Sequence, residues 1–264
     1  MCYTCRAGIQ PRPKDVRGSA VRLLALDIET SGALVRTFSL FKPMISHEAI
    51  IDHPRIICWS AQWYGTTKTL YSSEFEHGRK KMLEDLHELI TEADAVITYN
   101  GQGFDIPWIE GEFIVEGMSA TPPVTHIDLY KTIKQRTRFI SGKLDYAVNR
   151  LLGDRKIPHA GITLWNGCAD GDAKAWATMK KYSKHDTALL LPLYDALKPW
   201  IKQHPSAAVI DGKPDACVTC GSEHLTIRGR AYTKTGTYPR YQCQDCGKWQ
   251  RRRQGQTIAT HTAI

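Results

Sequence analysis

No stretch of this sequence stays apolar long enough to cross a bilayer, and its first residues, Met1-Cys2-Tyr3-Thr4-Cys5, carry no apolar signal segment. These two absences set the expectation of a chain that works in a cytoplasm with no membrane partner. Acidic residues are in deficit: 27 Asp and Glu stand against 35 Lys and Arg, a formal net charge of +8 and a pI near 9.0. An excess of cations points toward a polyanionic partner, although it also serves solubility. What is present is ordinary globular material. At 42% hydrophobic and 23% charged, the 264 residues suffice for one large domain with an appendage.

Eight cysteines in a chain expected in a reducing compartment favour metal over disulfides. Cys58 and Cys168 stand alone. Cys217-x2-Cys220 and Cys243-x2-Cys246 bracket two segments, 225–228 and 238–242, that read as strands. Four thiolates at that spacing resemble a zinc ribbon holding one structural Zn²⁺, and a closed tetrahedral site leaves no position for substrate. Cys2-x2-Cys5 lies in a proline-bearing stretch, residues 1–20, that reads as a loosely held arm; the pair is either incidental or half of a second site. Around the ribbon, Arg228, Arg230, Lys234, Arg240, Lys248 and Arg251-Arg252-Arg253 alternate with Tyr232, Tyr238, Tyr241 and Trp249. Cations meet phosphates and rings stack on bases, so nucleic-acid binding is expected, with protein docking as the alternative.

The stretch that breaks its own pattern is 23–32. Leu23-Leu24-Ala25-Leu26 is the apolar run of a strand covered on both faces, yet Asp27 and Glu29 follow at i and i+2. Alternation along a strand puts both acids on one face, where they repel unless a cation lies between them. Hard, oxygen-preferring Mg²⁺ or Mn²⁺ suits such a pair. The other reading is a strand that ends in a solvated acidic turn.

Downstream, 56–64, 68–72 and 95–99 read as strands, 78–92 as an amphipathic helix, and 34–54 as a surface loop. Gly101 and Gly103 allow a tight turn, and a helix opening near Pro107 leaves Asp105 at a strand-to-helix junction. In open α/β sheets, ligands bind beyond the strand carboxyl ends. Asp27, Glu29 and Asp105 would share that rim, although Asp105 alone could be an N-cap. A helix over 142–153 is closed by Gly153. A longer helical region, 172–201, reads as interrupted near Tyr182. Tyr182 and Asp186 are i,i+4 and project from one face, while His185 points elsewhere; a solvated helix face would explain Asp186 equally well in isolation.

Asp27-x-Glu29, Asn100-x3-Phe104-Asp105 and Tyr182-x3-Asp186 together resemble, in order and spacing, the three motifs of DnaQ-like 3'→5' exonucleases of the DEDDy type. The chain is similar over residues 21–204 to the proofreading domains of family B DNA polymerases and to stand-alone phage exonucleases. The resemblance implies an α/β, ribonuclease H-like fold: a mixed five-stranded sheet flanked by helices. The implied plan is an arm (1–20), an exonuclease domain (21–205) and a zinc ribbon with a basic tail (206–264). It further implies two Mg²⁺ or Mn²⁺ ions. Asp27 would bridge them, Glu29 and Asp186 would hold the ion that activates water, and Asp105 would serve the leaving-group ion. Tyr182 would orient the water, since a phenol of pKa about 10 is a poor base at neutral pH. Asn100, Phe104 and Thr30 are the implied substrate contacts, with Asn100 alternatively a brace for the turn.

The histidine variant of the family needs that residue five positions before Asp186, where Lys181 stands. Asp128 and Asp145 receive no catalytic role. Nothing resembles polymerase palm or fingers, so any proofreading would serve a separate DNA polymerase or replication protein, in a host cytoplasm if the chain is phage-encoded. DNA with single-stranded ends is the expected substrate. The alternatives are an exoribonuclease of the same fold and a non-catalytic nucleic-acid-binding adaptor.

Overall fold

A computed structural model of the chain describes residues 21–39, 41, 44–158, 160–202, 204–254 and 257–258. The Cys2/Cys5 arm lies outside the described residues. The chain divides into two compact units, one of Leu23–Trp63 with Thr67–Gln203, the other made chiefly of His204–Ile264.

In the larger unit, β1 (Leu23–Thr30) is the middle strand of five. A two-stranded hairpin, β2 (Leu34–Val35) with β3 (Ile50–Asp52), follows it. Segment 34–54 is therefore not all loop, as the sequence suggested: it pairs with itself, a local contact that two prolines hide. β4 (Ile56–Trp63) returns antiparallel along the whole of β1, and β5 (Thr69–Ser73) adds an antiparallel edge. Next come α1 (Glu74–His77) and α2 (Arg79–Glu92), which carry the chain over one face to β6 (Ala95–Thr98), parallel to β1. A second crossover through α3 (Asp105–Val115) leads to β7 (Thr125–Asp128), parallel to β6. The sheet order is β5-β4-β1-β6-β7. α4 (Leu129–Arg136), α5 (Leu144–Leu152), α6 (Ile162–Ala169) and α7 (Ala173–Leu197) complete the unit.

β1 shows why one strand can serve both core and site. Leu24, Leu26 and Ile28 point into a cluster with Met82, Leu83, Leu86, Ile109 and Phe113 of α2 and α3. The alternate residues Ala25, Asp27 and Glu29 take the opposite face, where α7 lies. On the α2/α3 side, Trp59 Nε1 donates to the Met82 carbonyl at 2.7 Å. Buried Glu112 accepts Ile56 N–H at 3.0 Å and pairs with Arg79, next to the Glu29/Thr30 bulge. Bulges re-aim side chains, and this one sits beside Glu29.

On the other face, small hydroxyl residues let α7 approach closely. Ser60, which pairs across the ladder with Asp27, donates to the Ser183 carbonyl at 2.8 Å and lies 2.6 Å from Thr187 Oγ1. Ser183 Oγ donates to Ser60 Oγ at 2.8 Å, and Thr187 Oγ1 to the Ser60 carbonyl at 3.2 Å. All three residues are fully buried. The interruption expected near Tyr182 is absent: α7 runs unbroken for 25 residues, with Pro192 inside it. Ser183, Asp186 and Thr187 of its polar stretch face inward, where those hydrogen bonds support the helix that weak local propensity left in doubt.

In the smaller unit, α8 (Ala207–Ile210) precedes β8 (Leu225–Tyr232), β9 (Gly236–Cys243), β10 (Trp249–Arg251) and β11 (Thr257–Ile258); β9 pairs antiparallel with each of the other three strands. Among the described residues no helix is long and apolar enough to cross a membrane.

If the hydroxyl cluster sets the register of α7, Ser60→Ala and Thr187→Val should couple. Removing one partner strands the others, at about 1–3 kcal/mol. A double-mutant cycle by denaturant unfolding is expected to give a coupling of at least ~0.5 kcal/mol; additive effects would show that the hydroxyls act separately.

Candidate active site

Carboxylate oxygens of Asp27, Glu29 and Asp186 all lie within 4.8 Å of one another. The first two come from the end of β1, and the third is carried there by α7, whose register the Ser60 cluster holds. Asp105 is buried at the first residue of α3, and its Oδ1 accepts the Ile28 N–H at 3.2 Å. It is thus tied to the peptide that follows Asp27, outside the tight trio but against it.

The charges oppose one another. Burial first, then Asp105, Glu29 and Asp186, push the Asp27 carboxyl well above its ordinary value. Burial and the charge of Asp186 push Glu29 up to about 8. Burial pushes Asp105 up to about 7 against the pull of the Ile28 N–H. Asp186 is raised by burial, with Lys156 pulling the other way. Asp186 Oδ1 is buried and has no hydrogen-bond partner, an oxygen that a cation would satisfy. A donor set of carboxylate oxygens alone fits Mg²⁺ or Mn²⁺.

Tyr182 is buried one turn before Asp186. Burial, with the charges of Glu29 and Asp186, raises its phenol, which stays protonated at neutral pH. Lys156 stands beside both: its ammonium pairs with Asp186 Oδ2 and donates to Tyr182 OH at 3.0 Å. Lys156 was not singled out in the sequence, since it falls in a stretch with no periodicity. Asp145, given no role there, holds Lys156 in place by accepting its backbone N–H at 2.9 Å. A cavity of about 440 Å³ lined by Asp145, Arg155, Lys156, Ile157, Pro158 and Tyr182 opens at this point. His185 turns away and binds the Arg155 carbonyl at 2.9 Å.

The expected substrate contacts are placed less uniformly. Asn100 adopts a left-handed backbone, φ 66°. Its N–H donates to Asp128 Oδ1 at 3.0 Å, which gives Asp128 a bracing role the sequence did not reveal. Gly101 is obligatory here, because a Cβ would fall 2.3 Å from Thr98 Oγ1. The turn therefore delivers Asp105 to β1. Phe104 is exposed just before α3, with its ring 6.3 Å from that of Trp108. The Thr30 carbonyl is occupied by Trp165 Nε1 at 3.0 Å, so only its half-buried side chain remains for a ligand.

In the smaller unit, the Sγ atoms of Cys217, Cys220, Cys243 and Cys246 also gather within 4.8 Å. The Cys217–Cys246 and Cys220–Cys243 separations are 3.6 Å. This is near the ~3.8 Å edge of a tetrahedron with Zn–S of about 2.3 Å, and far from a disulfide. Each knuckle closes on a left-handed glycine, Gly221 or Gly247. Thiol hydrogens of Cys220 and Cys246 pull Cys217 down to about 4. The cluster is compatible with a zinc ribbon. Cys58 and Cys168, by contrast, are buried among apolar side chains.

No curated protein matches the chain. A solved structure of the family B DNA polymerase from the hyperthermophilic archaeon Pyrobaculum calidifontis is similar, with a TM-score of 0.51 at 16% identity over 81% of this chain and 31% of the polymerase. The chain thus spans about a third of that polymerase's length, and at this identity the likeness is one of fold. The RNase_H superfamily model RNase_H_2 matches residues 53–198, a span that contains Asp105, Lys156, Tyr182 and Asp186 and begins after β1. Asp27 and Glu29 join that set by geometry. With more than half of its residues matched, the chain belongs to the RNase_H superfamily.

Proposed function

We propose that the chain is a metal-dependent nuclease that releases nucleotides from the 3' ends of DNA. The observation that carries this reading is the convergence of Asp27, Glu29 and Asp186 within 4.8 Å, with Tyr182 one helical turn from Asp186. Carboxylates this close, with raised proton affinities, are a poor design for anything except cation binding. Asp27, Glu29 and Asp186, with Asp105 beside Asp27, would hold the ions. When bound, divalent cations supply Lewis-acid stabilisation of the attacking and leaving oxygens of a phosphodiester.

The chain's own groups do the positioning. Tyr182, protonated and buried, can orient a water by hydrogen bonding but not deprotonate it. Lys156 fixes that phenol and one oxygen of Asp186 together. Asp145 fixes Lys156. Asn100 and exposed Phe104 would hold and stack the terminal nucleotide. The 3'→5' direction and the preference for DNA rest on the motif resemblance, and a partner polymerase belongs to the same reading.

Asp27→Asn is expected to lower Mg²⁺- or Mn²⁺-dependent release from end-labelled DNA by roughly a thousandfold, about 4 kcal/mol of lost transition-state stabilisation. Matched RNA should be cut more slowly. Undiminished hydrolysis by Asp27→Asn would contradict the assignment.

The raised carboxyls also set a pH dependence. Glu29 and Asp105 move from ordinary values of 4.5 and 3.8 to about 8 and about 7, so the folded chain binds more protons than the unfolded one across that window. Without divalent ions, thermal stability is expected to be greatest at the acid end of the window and to fall as pH rises toward 8. Added Mg²⁺ should flatten the fall. A stability that rose across the same window would mean that these two carboxyls are not raised in the folded chain.

A further inference from the structure

The cations and rings of the C-terminal unit divide between the two faces of its sheet. Cross-strand partners share a face. Arg240 opposes Arg251, Gln242 opposes Trp249 and Thr226, and Tyr238 opposes Ala231, so Tyr238, Arg240, Trp249 and Arg251 lie together. The other face carries Tyr241 and Gln250, the latter committed internally, beside exposed Ile227 and Tyr232. Gln250 accepts the Val218 N–H and donates to the Ala216 carbonyl, while the nearby Arg252 pairs with Asp215 at 3.4 Å.

The first face has no such commitment. Two arginines directly opposite destabilise a sheet, and among the described residues no carboxylate pairs with either. Each guanidinium is instead held over a ring, Arg240 at 5.0 Å from the Trp249 centroid and Arg251 at 4.1 Å from that of Tyr238. Arg240 Nε donates to the Arg228 carbonyl at 3.0 Å, which orients the fork. Trp249 is 48% exposed.

We infer that this face, Tyr238-Arg240-Arg251-Trp249, is a binding site for single-stranded nucleic acid. Phosphates supply the anion that the opposed guanidinium forks lack. Unpaired bases supply the flat partners for exposed indole and guanidinium planes, which a duplex keeps stacked away. An acidic protein would answer the charge but offer no flat partner to the exposed indole. The inference does not depend on the nuclease reading, because binding is measured without cleavage.

The test uses the full chain carrying Asp27→Asn, in buffer without Mg²⁺ or Mn²⁺, with labelled oligothymidylate titrated across a salt series. Arg240→Gln with Arg251→Gln is expected to weaken binding at least tenfold. It should also reduce the log Kd against log salt slope by about 1.4, two phosphate contacts at ~0.7 each. Trp249→Ala should weaken binding roughly tenfold and leave the slope intact, as loss of one stack would. Arg230→Gln, which removes a charge beside Pro239 on the opposite face, should change little. Equal weakening by Arg230→Gln would overturn the site in favour of diffuse attraction. Unchanged affinity in the double variant, or competition by polyglutamate as strong as by oligonucleotide, would overturn it in favour of no site or of protein docking. Zinc content reports folding. Should the double Gln variant lose zinc, Arg240→Lys with Arg251→Lys replaces it and is expected to keep the slope while losing affinity; unchanged affinity there also overturns the proposal.

Discussion

Mutual repulsion among carboxylates is the constraint around which the larger unit is arranged. Asp27, Glu29 and Asp186 are held within 4.8 Å, and Asp105 is hydrogen-bonded to the next peptide. Left alone, such a cluster takes up protons: burial first, and then the charge of Asp186, raise Glu29, while burial raises Asp105. On the other face of the same strand Leu24, Leu26 and Ile28 are buried against α2 and α3, a contribution that offsets the repulsion. One strand thus divides its residues between holding the protein together and holding charge.

The acids are gathered largely by hydrogen bonds between distant segments. Ser60, opposite Asp27, anchors Ser183 and Thr187, and Asp186 lies between those two on α7. Asn100, strained into a left-handed conformation and braced by Asp128, sets the turn that ends at Asp105. Lys156 then neutralises part of the cluster and ties it to Tyr182. Preorganisation of this kind lets a site bind cations without rearranging.

Much of this was legible in the residues because it depends on local periodicity. Asp27 and Glu29 share a face by strand alternation; Tyr182 and Asp186 share one by helical spacing. Paired C-x2-C spacing located the cysteine cluster. The rest depends on contacts between distant segments. Lys156 reaches the site from an aperiodic stretch, 30 positions before Asp186. The continuity of α7 rests on hydrogen bonds to β4, 123 residues away, so local propensity misplaced a break there. The β2–β3 hairpin was hidden by its prolines, and the division of arginines between ribbon faces required the register of β8, β9 and β10.

Cations are expected to relieve the repulsion of the acids, and calorimetric titration of Mn²⁺ into the full chain near neutral pH measures that relief. Run in two buffers of different ionisation heat, it counts both ions bound and protons displaced. About two ions should bind per chain, with protons released from Glu29 and Asp105 and both signals reduced in Glu29→Gln. Binding without proton release, or release undiminished in that variant, would contradict that expectation.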